Sequence, residues 1–206
     1  MARPQYWMPV FTDAADRDLG VSANGLLAAT AIVAHGALPA AVILTGLVLL
    51  GAEAISWPGA ILAGVLATLA LTLVTFASRA LHFEGLDVLD LLGNVLASVY
   101  GPASGVTIAM LHVAAGTFFA IAWVYGNALA HWPAHWTTGL LWGFVLWGLA
   151  FILRAVASSV HYGIQDPSDS STKATTGAAA PLVSLAGHLV YGLVLGLVYA
   201  GATPLF

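Results

Sequence analysis

Five long apolar runs, separated by short polar stretches, set the pattern of this chain. The runs cover residues 25–50, 58–80, 103–129, 138–160 and 181–199. Each approaches or exceeds the roughly 20 residues that a helix needs to cross the hydrocarbon core of a bilayer. The pattern predicts an all-α integral membrane protein with five transmembrane helices. Pro39 lies inside the first run, where a proline kinks a helix, and Pro58 and Pro181 open the second and fifth, where the first turn tolerates the missing N–H. The polar stretches read as a polar N-terminal arm over 1–23, a turn over 51–57 and a connector over 82–94. A turn over 130–137 and a flexible Ser/Thr/Gly-rich loop over 162–180 complete the set. Within the connector, apolar residues at 86, 88, 89, 91 and 92 alternate with Asp87 and Asp90, the spacing of a short amphipathic helix lying at the membrane surface.

Composition agrees with this reading. The chain is 60% hydrophobic and 7% charged, against about 25% charged residues in a soluble domain. The absence of cysteine removes disulfides, thiolate metal sites and cysteine nucleophiles. No basic patch is large enough for nucleic acid. The first residues, with Asp13, Asp16, Arg17 and Asp18, do not form a secretory signal.

The few charges are placed unevenly. With the N-terminus inside, Arg3, Arg17, Arg79, Arg154 and Lys173 all fall on the cytoplasmic side, and the opposite loops have none. The positive-inside rule therefore predicts a cytoplasmic N-terminus and, after five spans, a C-terminus outside. The 130–137 turn, with Trp132 and Trp136, then belongs to an outer aromatic belt.

The last four spans also carry an internal repeat. His112 is followed four residues later by Gly116, and His188 by Gly192; an aromatic follows each histidine at the eleventh position, Trp123 and Tyr199. Glycines pair in the preceding spans, Gly59 and Gly64 with Gly139 and Gly143. Residues 58–129 and 138–201 thus read as two parallel helical hairpins related by a pseudo-twofold along the membrane normal, forming a four-helix core. Residues 24–57 contribute an extra helix and turn. The small-residue spacings Gly139/Gly143, Gly192/Gly196 and Ala60/Gly64 suit close helix contact in lipid.

The order Gly59 to Thr68, Asp87 to Gly93, His112 with Gly116, and the closing His188-Leu189-Val190-Tyr191-Gly192 pattern resembles a family of small prokaryotic polytopic membrane proteins of unknown function. The resemblance covers about residues 58–201. It implies a four-helix unit in a prokaryotic plasma membrane, and no activity.

Two sets of residues could carry chemistry. His35, His112 and His188 stand on spans running in the same direction, each roughly 10–15 Å from the inner end at 1.5 Å per residue. Such histidines can hold a haem or a metal, or fasten a packing seam by bonding to neighbouring carbonyls. Arg154 lies near the inner end of the fourth span, where it either snorkels to the surface or pairs with Asp87 or Asp90. With Glu84 and His112, that polar cluster could bind an anionic lipid or stage protons. His131 and His135 have ligand spacing, but Pro133 between them interrupts the helix that would align them. No phosphate loop, nucleophile elbow or zinc-protease motif is present.

The expectation is a non-catalytic integral membrane subunit or accessory protein of a larger, respiratory membrane complex, partnered by the bilayer and by other membrane subunits, with no obligatory cofactor. One alternative is a haem- or metal-binding electron carrier using His112, His188 and His35. Another is a small transporter or channel built on the two repeats and Arg154.

Overall fold

The computed structural model describes residues 23–81, 104–162 and 180–202. These form five α-helices, and no strand occurs among them: α1 (Ala23–Leu50), α2 (Trp57–Ala80), α3 (Gly105–Leu129), α4 (Trp136–Tyr162) and α5 (Ala180–Ala202). A single 3-10 turn, Ala52–Ala54, links α1 to α2. The helix ends fall close to the ends of the five apolar runs. Three helical stretches, Trp57–Ser78, Gly105–Leu129 and Pro181–Ala202, are long and apolar enough to cross a membrane. The apolar parts of α1 and α4 are shorter, Gly36–Leu50 and Trp136–Ile152.

Local signals explain where helices begin. Ser56 precedes α2 and accepts from Gly59 N at 3.2 Å, and Ser104 caps α3 by accepting from Thr107 N at 3.2 Å. Both satisfy amide donors that a first helical turn leaves unpaired. Gly51 ends the α1 region with φ of 85°, a left-handed conformation in which glycine has no side chain to clash. Pro39 lies inside α1 and is buried.

Hydroxyls inside the apolar runs find partners within their own helices. Thr68 Oγ1 donates to Gly64 O at 2.7 Å, Thr72 Oγ1 to Thr68 O at 2.8 Å, and Thr117 Oγ1 to Val113 O at 2.9 Å. This back-bonding satisfies a polar group where no water competes.

The helices close into a ring. α2 packs on α3 and on α5, α5 packs on α4, and α1 packs on both α4 and α3. The consecutive helices α3 and α4, joined by the short 130–135 turn, barely touch. Between them stands α1: Val42 faces Gly126 of α3, and Gly46 lies against the ring of Tyr125. The helix outside the expected four-helix core thus closes the bundle.

The core lies toward one end of this ring. It joins Ala60, Ala63, Ala67 and Leu71 of α2 with Ala120, Trp123, Val124 and Tyr125 of α3, and Tyr191, Leu195 and Tyr199 of α5. Large apolar side chains such as Leu73 at 67%, Val48 at 82% and Leu182 at 68% exposure point outward. The alanines of α2 let the helices approach closely around the buried aromatic rings while large aliphatic side chains face outward, an arrangement that suits lipid, where close packing replaces the hydrophobic effect between helices.

Candidate functional site

Two histidine–glycine pairs and one aromatic collar organise the interior. On α3, His112 is half-buried and Gly116 follows one turn later. A Cβ at Gly116 would fall on Thr68 Oγ1 of α2, so the two helices meet there with no room for a side chain. Gly116 O accepts a hydrogen bond from Tyr191 Oη of α5 at 2.6 Å. Tyr191 is 3% exposed, so the donor side of this bond is buried.

On α5, His188 is also half-buried, and its Nδ1 lies 2.7 Å from Ser184 O, one turn back. A carbonyl can only accept, so Nδ1 carries the proton. This is a fastening of the kind weighed for these histidines, made within one helix. The glycine four residues on, Gly192, meets Gly139 of α4 backbone to backbone, and Gly143 meets the carbonyl of His188. Gly196 packs on the backbone of His135 and Trp136 in the same seam. A side chain at any of these glycines would have to occupy space held by peptide groups.

Beyond the histidines lies a collar of aromatic side chains. Tyr125 Oη donates to Gly51 O at 3.2 Å. Tyr199 Oη accepts from Ser56 N at 3.2 Å. Trp123 Nε1 donates to Thr138 O at 3.1 Å. The rings of Trp123 and Tyr199 meet edge to face at 5.8 Å, and those of Trp57 and Tyr125 at 5.9 Å. These contacts tie the C-terminal ends of α1, α3 and α5 to the N-terminal ends of α2 and α4. The helices therefore alternate in direction, and the three that carry His35, His112 and His188 run parallel.

The remaining candidates are distributed as follows. His35 lies in α1 and Arg154 in α4, but their side chains lie outside the described residues, as does that of Arg79. Asp87, Asp90 and Glu84 also lie outside them, with the polar arm up to residue 22, the amphipathic connector and the 163–179 loop. His131 has a positive φ of 54°, and His135 Nδ1 contacts Thr137 Oγ1 at 2.9 Å, so each is engaged in the turn's own geometry. Among the described residues, no group of three or more His, Asp or Glu side chains is placed to hold a metal.

The structure adds a feature that the sequence reading passed over. Where α1 holds α3 and α4 apart, a cavity of about 240 Å³ remains, walled by Val42, Trp123, Asn127, Trp132, Trp142 and Val145 among others. Asn127 is 5% exposed and donates Nδ2 to Trp123 O at 2.8 Å. Trp142 Nε1 is buried and has no hydrogen-bond partner. The available signal was a lone amide in the third apolar run, directly after Tyr125-Gly126. No family model, curated protein or solved structure matches the chain. The all-helical architecture with apolar spans marks it as a protein of a lipid bilayer.

Proposed function

We propose that this protein is a non-catalytic, five-span subunit of a larger membrane complex, built on two parallel helical hairpins that form a rigid scaffold for other membrane chains. The uncovered first half of α3 carries this reading. Gly105, Val106, Thr107, Ala109, Met110, Leu111, Ala114 and Ala115 are all exposed, whereas α3 from Ala120 to Tyr125 is almost wholly buried. In an 18-residue apolar window of each span, 11% of residues are buried in α3 against 33% in α2 and in α5. A span with an exposed Gly105-x-x-x-Ala109 face offers a neighbouring helix the small-residue surface that close packing in lipid requires.

The repeat reading is supported by the contacts inside each hairpin, in a register that sets Gly64 and Thr68, rather than Gly59 and Gly64, against Gly139 and Gly143. Gly64 of α2 meets Ala120 of α3, and Gly139 of α4 meets Gly196 of α5; Thr68 meets Gly116, and Gly143 meets Gly192. The partners are offset by 75 residues on the first helices (139 − 64 and 143 − 68) and 76 on the second (196 − 120 and 192 − 116). Trp123 and Tyr199, equivalent under the second offset, touch each other, as residues beside a pseudo-twofold axis do. On this reading the bare half of α3 corresponds to the half of α5 where Gly187 is covered by Leu71 and Val74 of α2.

Solubilisation of the natural membrane in mild detergent, purification of the full chain and mass spectrometry of what accompanies it test the proposal. A stable second membrane polypeptide is expected, and a photocrosslinker at Ala109 should capture it where one at Leu62 on α2 does not. A homogeneous monomer or homo-oligomer with no crosslinked partner would overturn the reading. An absorption spectrum of the same preparation tests the haem alternative, since a Soret band lost in His188→Ala would favour an electron carrier.

A further inference from the structure

We infer that Pro39 holds the first half of α1 off α3 and so keeps the bare α3 face open for the partner chain; the second part of this statement rests on the subunit reading above. The two halves of α1 differ in how they are held. From Pro39 onward the helix is seated in the bundle: Pro39 and Gly46 are buried, and Val42, Ile43 and Leu47 pack against the core. The seat includes α3, since a Cβ at Gly126 would lie 3.8 Å from Val42 Cγ1. Immediately before the proline, Gly36, Ala37 and Leu38 are all exposed, and a Cβ at Gly36 would meet nothing within 4 Å. Successive helical residues point about 100° apart, so most of the circumference of α1 is uncovered at that level. The first half of α3, which runs parallel to α1, is bare at the same end of the bundle.

Continuing the seated contact along both helices shows what a straight α1 would cover. Ala31 stands eleven residues before Val42 (42 − 31), and Ala115 stands eleven before Gly126 (126 − 115). Eleven residues are close to three full turns, so each alanine lies on the same side of its helix as the contact, about 16 Å further along. Two alanines in register are what close packing in lipid uses. Ala115 is nonetheless exposed, so the α1–α3 interface stops short of it.

Pro39 supplies the physical reason. It shares a face with Val42, Ile43 and Gly46, at spacings of three, four and seven, so its ring lies on the side of α1 turned to the bundle. The ring offers no N–H to the carbonyl of residue 35 and collides with it. That carbonyl lies one turn earlier on the same side. Making room for the ring lengthens the bundle-facing side of the helix, and the segment before the proline bends outward. A bend of about 20°, carried over the eight residues from Pro39 to Ala31, displaces the helix by about 4 Å. The α3 face is left to another chain.

The chain has no cysteine, so an engineered pair reports alone. Full-length Ala31→Cys/Ala115→Cys is purified into lipid nanodiscs and treated with a mild oxidant. A disulfide needs Cβ atoms about 3.5–4.5 Å apart. The inference expects it as a minor product with Pro39 in place and as the major product once Pro39→Ala or Pro39→Leu is added, the leucine keeping bulk at the buried site. Val42→Cys/Gly126→Cys should crosslink in every background, which shows that the seated half stays in place. Gly36→Ala, where the new methyl meets nothing, should change neither pair. In the natural membrane, the polypeptide that purifies with the wild-type chain should be lost from Pro39→Ala and kept in Gly36→Ala. Equal crosslinking of the 31/115 pair with and without Pro39 would overturn the inference. So would a full complement of partner on Pro39→Ala, or loss of the 42/126 crosslink in both proline variants. A wild-type chain that brings no partner, but gains the 31/115 crosslink when the proline is removed, would sink the subunit reading alone and leave the hold of Pro39 on α1 standing.

Discussion

Tyr191 of α5 donates its phenolic hydrogen to the backbone carbonyl of Gly116 on α3 at 2.6 Å, across the buried centre of the bundle. α3 and α5 otherwise meet little, α3 being packed chiefly on α2 and α5 on α4 and α2. The bond sets their relative height. It joins residues 75 apart in sequence, and the Trp123–Tyr199 ring contact joins residues 76 apart, so His112 and His188 lie at nearly one level.

Replacing Tyr191 by Phe keeps the ring and removes this bond. Hydrogen bonds between membrane helices contribute about 0.6 kcal/mol on average and up to about 1.7; the short distance and the buried Tyr191 donor place this one at the upper end. Tyr191→Phe should therefore lower stability by about 1–1.5 kcal/mol in a reversible unfolding assay in detergent or bicelles. A change within error would show that Gly116 O is satisfied by its own helix alone.

The α4–α5 seam should be the least tolerant part of the chain. Gly192→Ala places a methyl against the backbone of Gly139, and Gly139→Ala does the same against Gly192. Peptide groups cannot rotate away, so the helices must separate, with a cost of about 2–3 kcal/mol or more. Gly116→Ala meets a threonine side chain, which can turn, and should cost less. Gly148→Ala and Gly201→Ala meet nothing nearby and should be neutral or slightly stabilising, because alanine is the better helix former. Thermal unfolding of the five variants should give that order.

The collar can be separated into ring contact and hydrogen bond. Trp123→Phe retains an aromatic edge for Tyr199 and loses the donation to Thr138 O, a change of about 1 kcal/mol. Trp123→Ala also removes a large buried side chain and should cost about 3–5 kcal/mol. If the two variants proved equally stable, the ring would contribute nothing beyond its N–H.

His188 offers a direct reading of the histidine seam. Its Nδ1 bond to Ser184 O lies within one helix, so His188→Gln, whose amide can also donate, should change stability by less than about 1 kcal/mol. Loss of a bound chromophore on the same substitution would instead make the residue a ligand.

The apolar runs and their punctuation determined the five helices, their ends to within a few residues, and their alternation. The cost of exposing peptide groups in lipid leaves a long apolar run little choice but helix. The spacing of His112 with Gly116 and of His188 with Gly192 also marked two places where a neighbouring helix leaves no room for a side chain. What the sequence left open was which helix each face meets. These helices are apolar almost all round, because lipid is as apolar as a leucine side chain, so no amphipathic stripe points to a partner. Only the assembled bundle put α1 between α3 and α4, set Gly192 against Gly139, and left Asn127 and Trp142 beside a cavity. Those outcomes depend on the shapes of several helices fitted together at once, and shape complementarity is carried by no single apolar run.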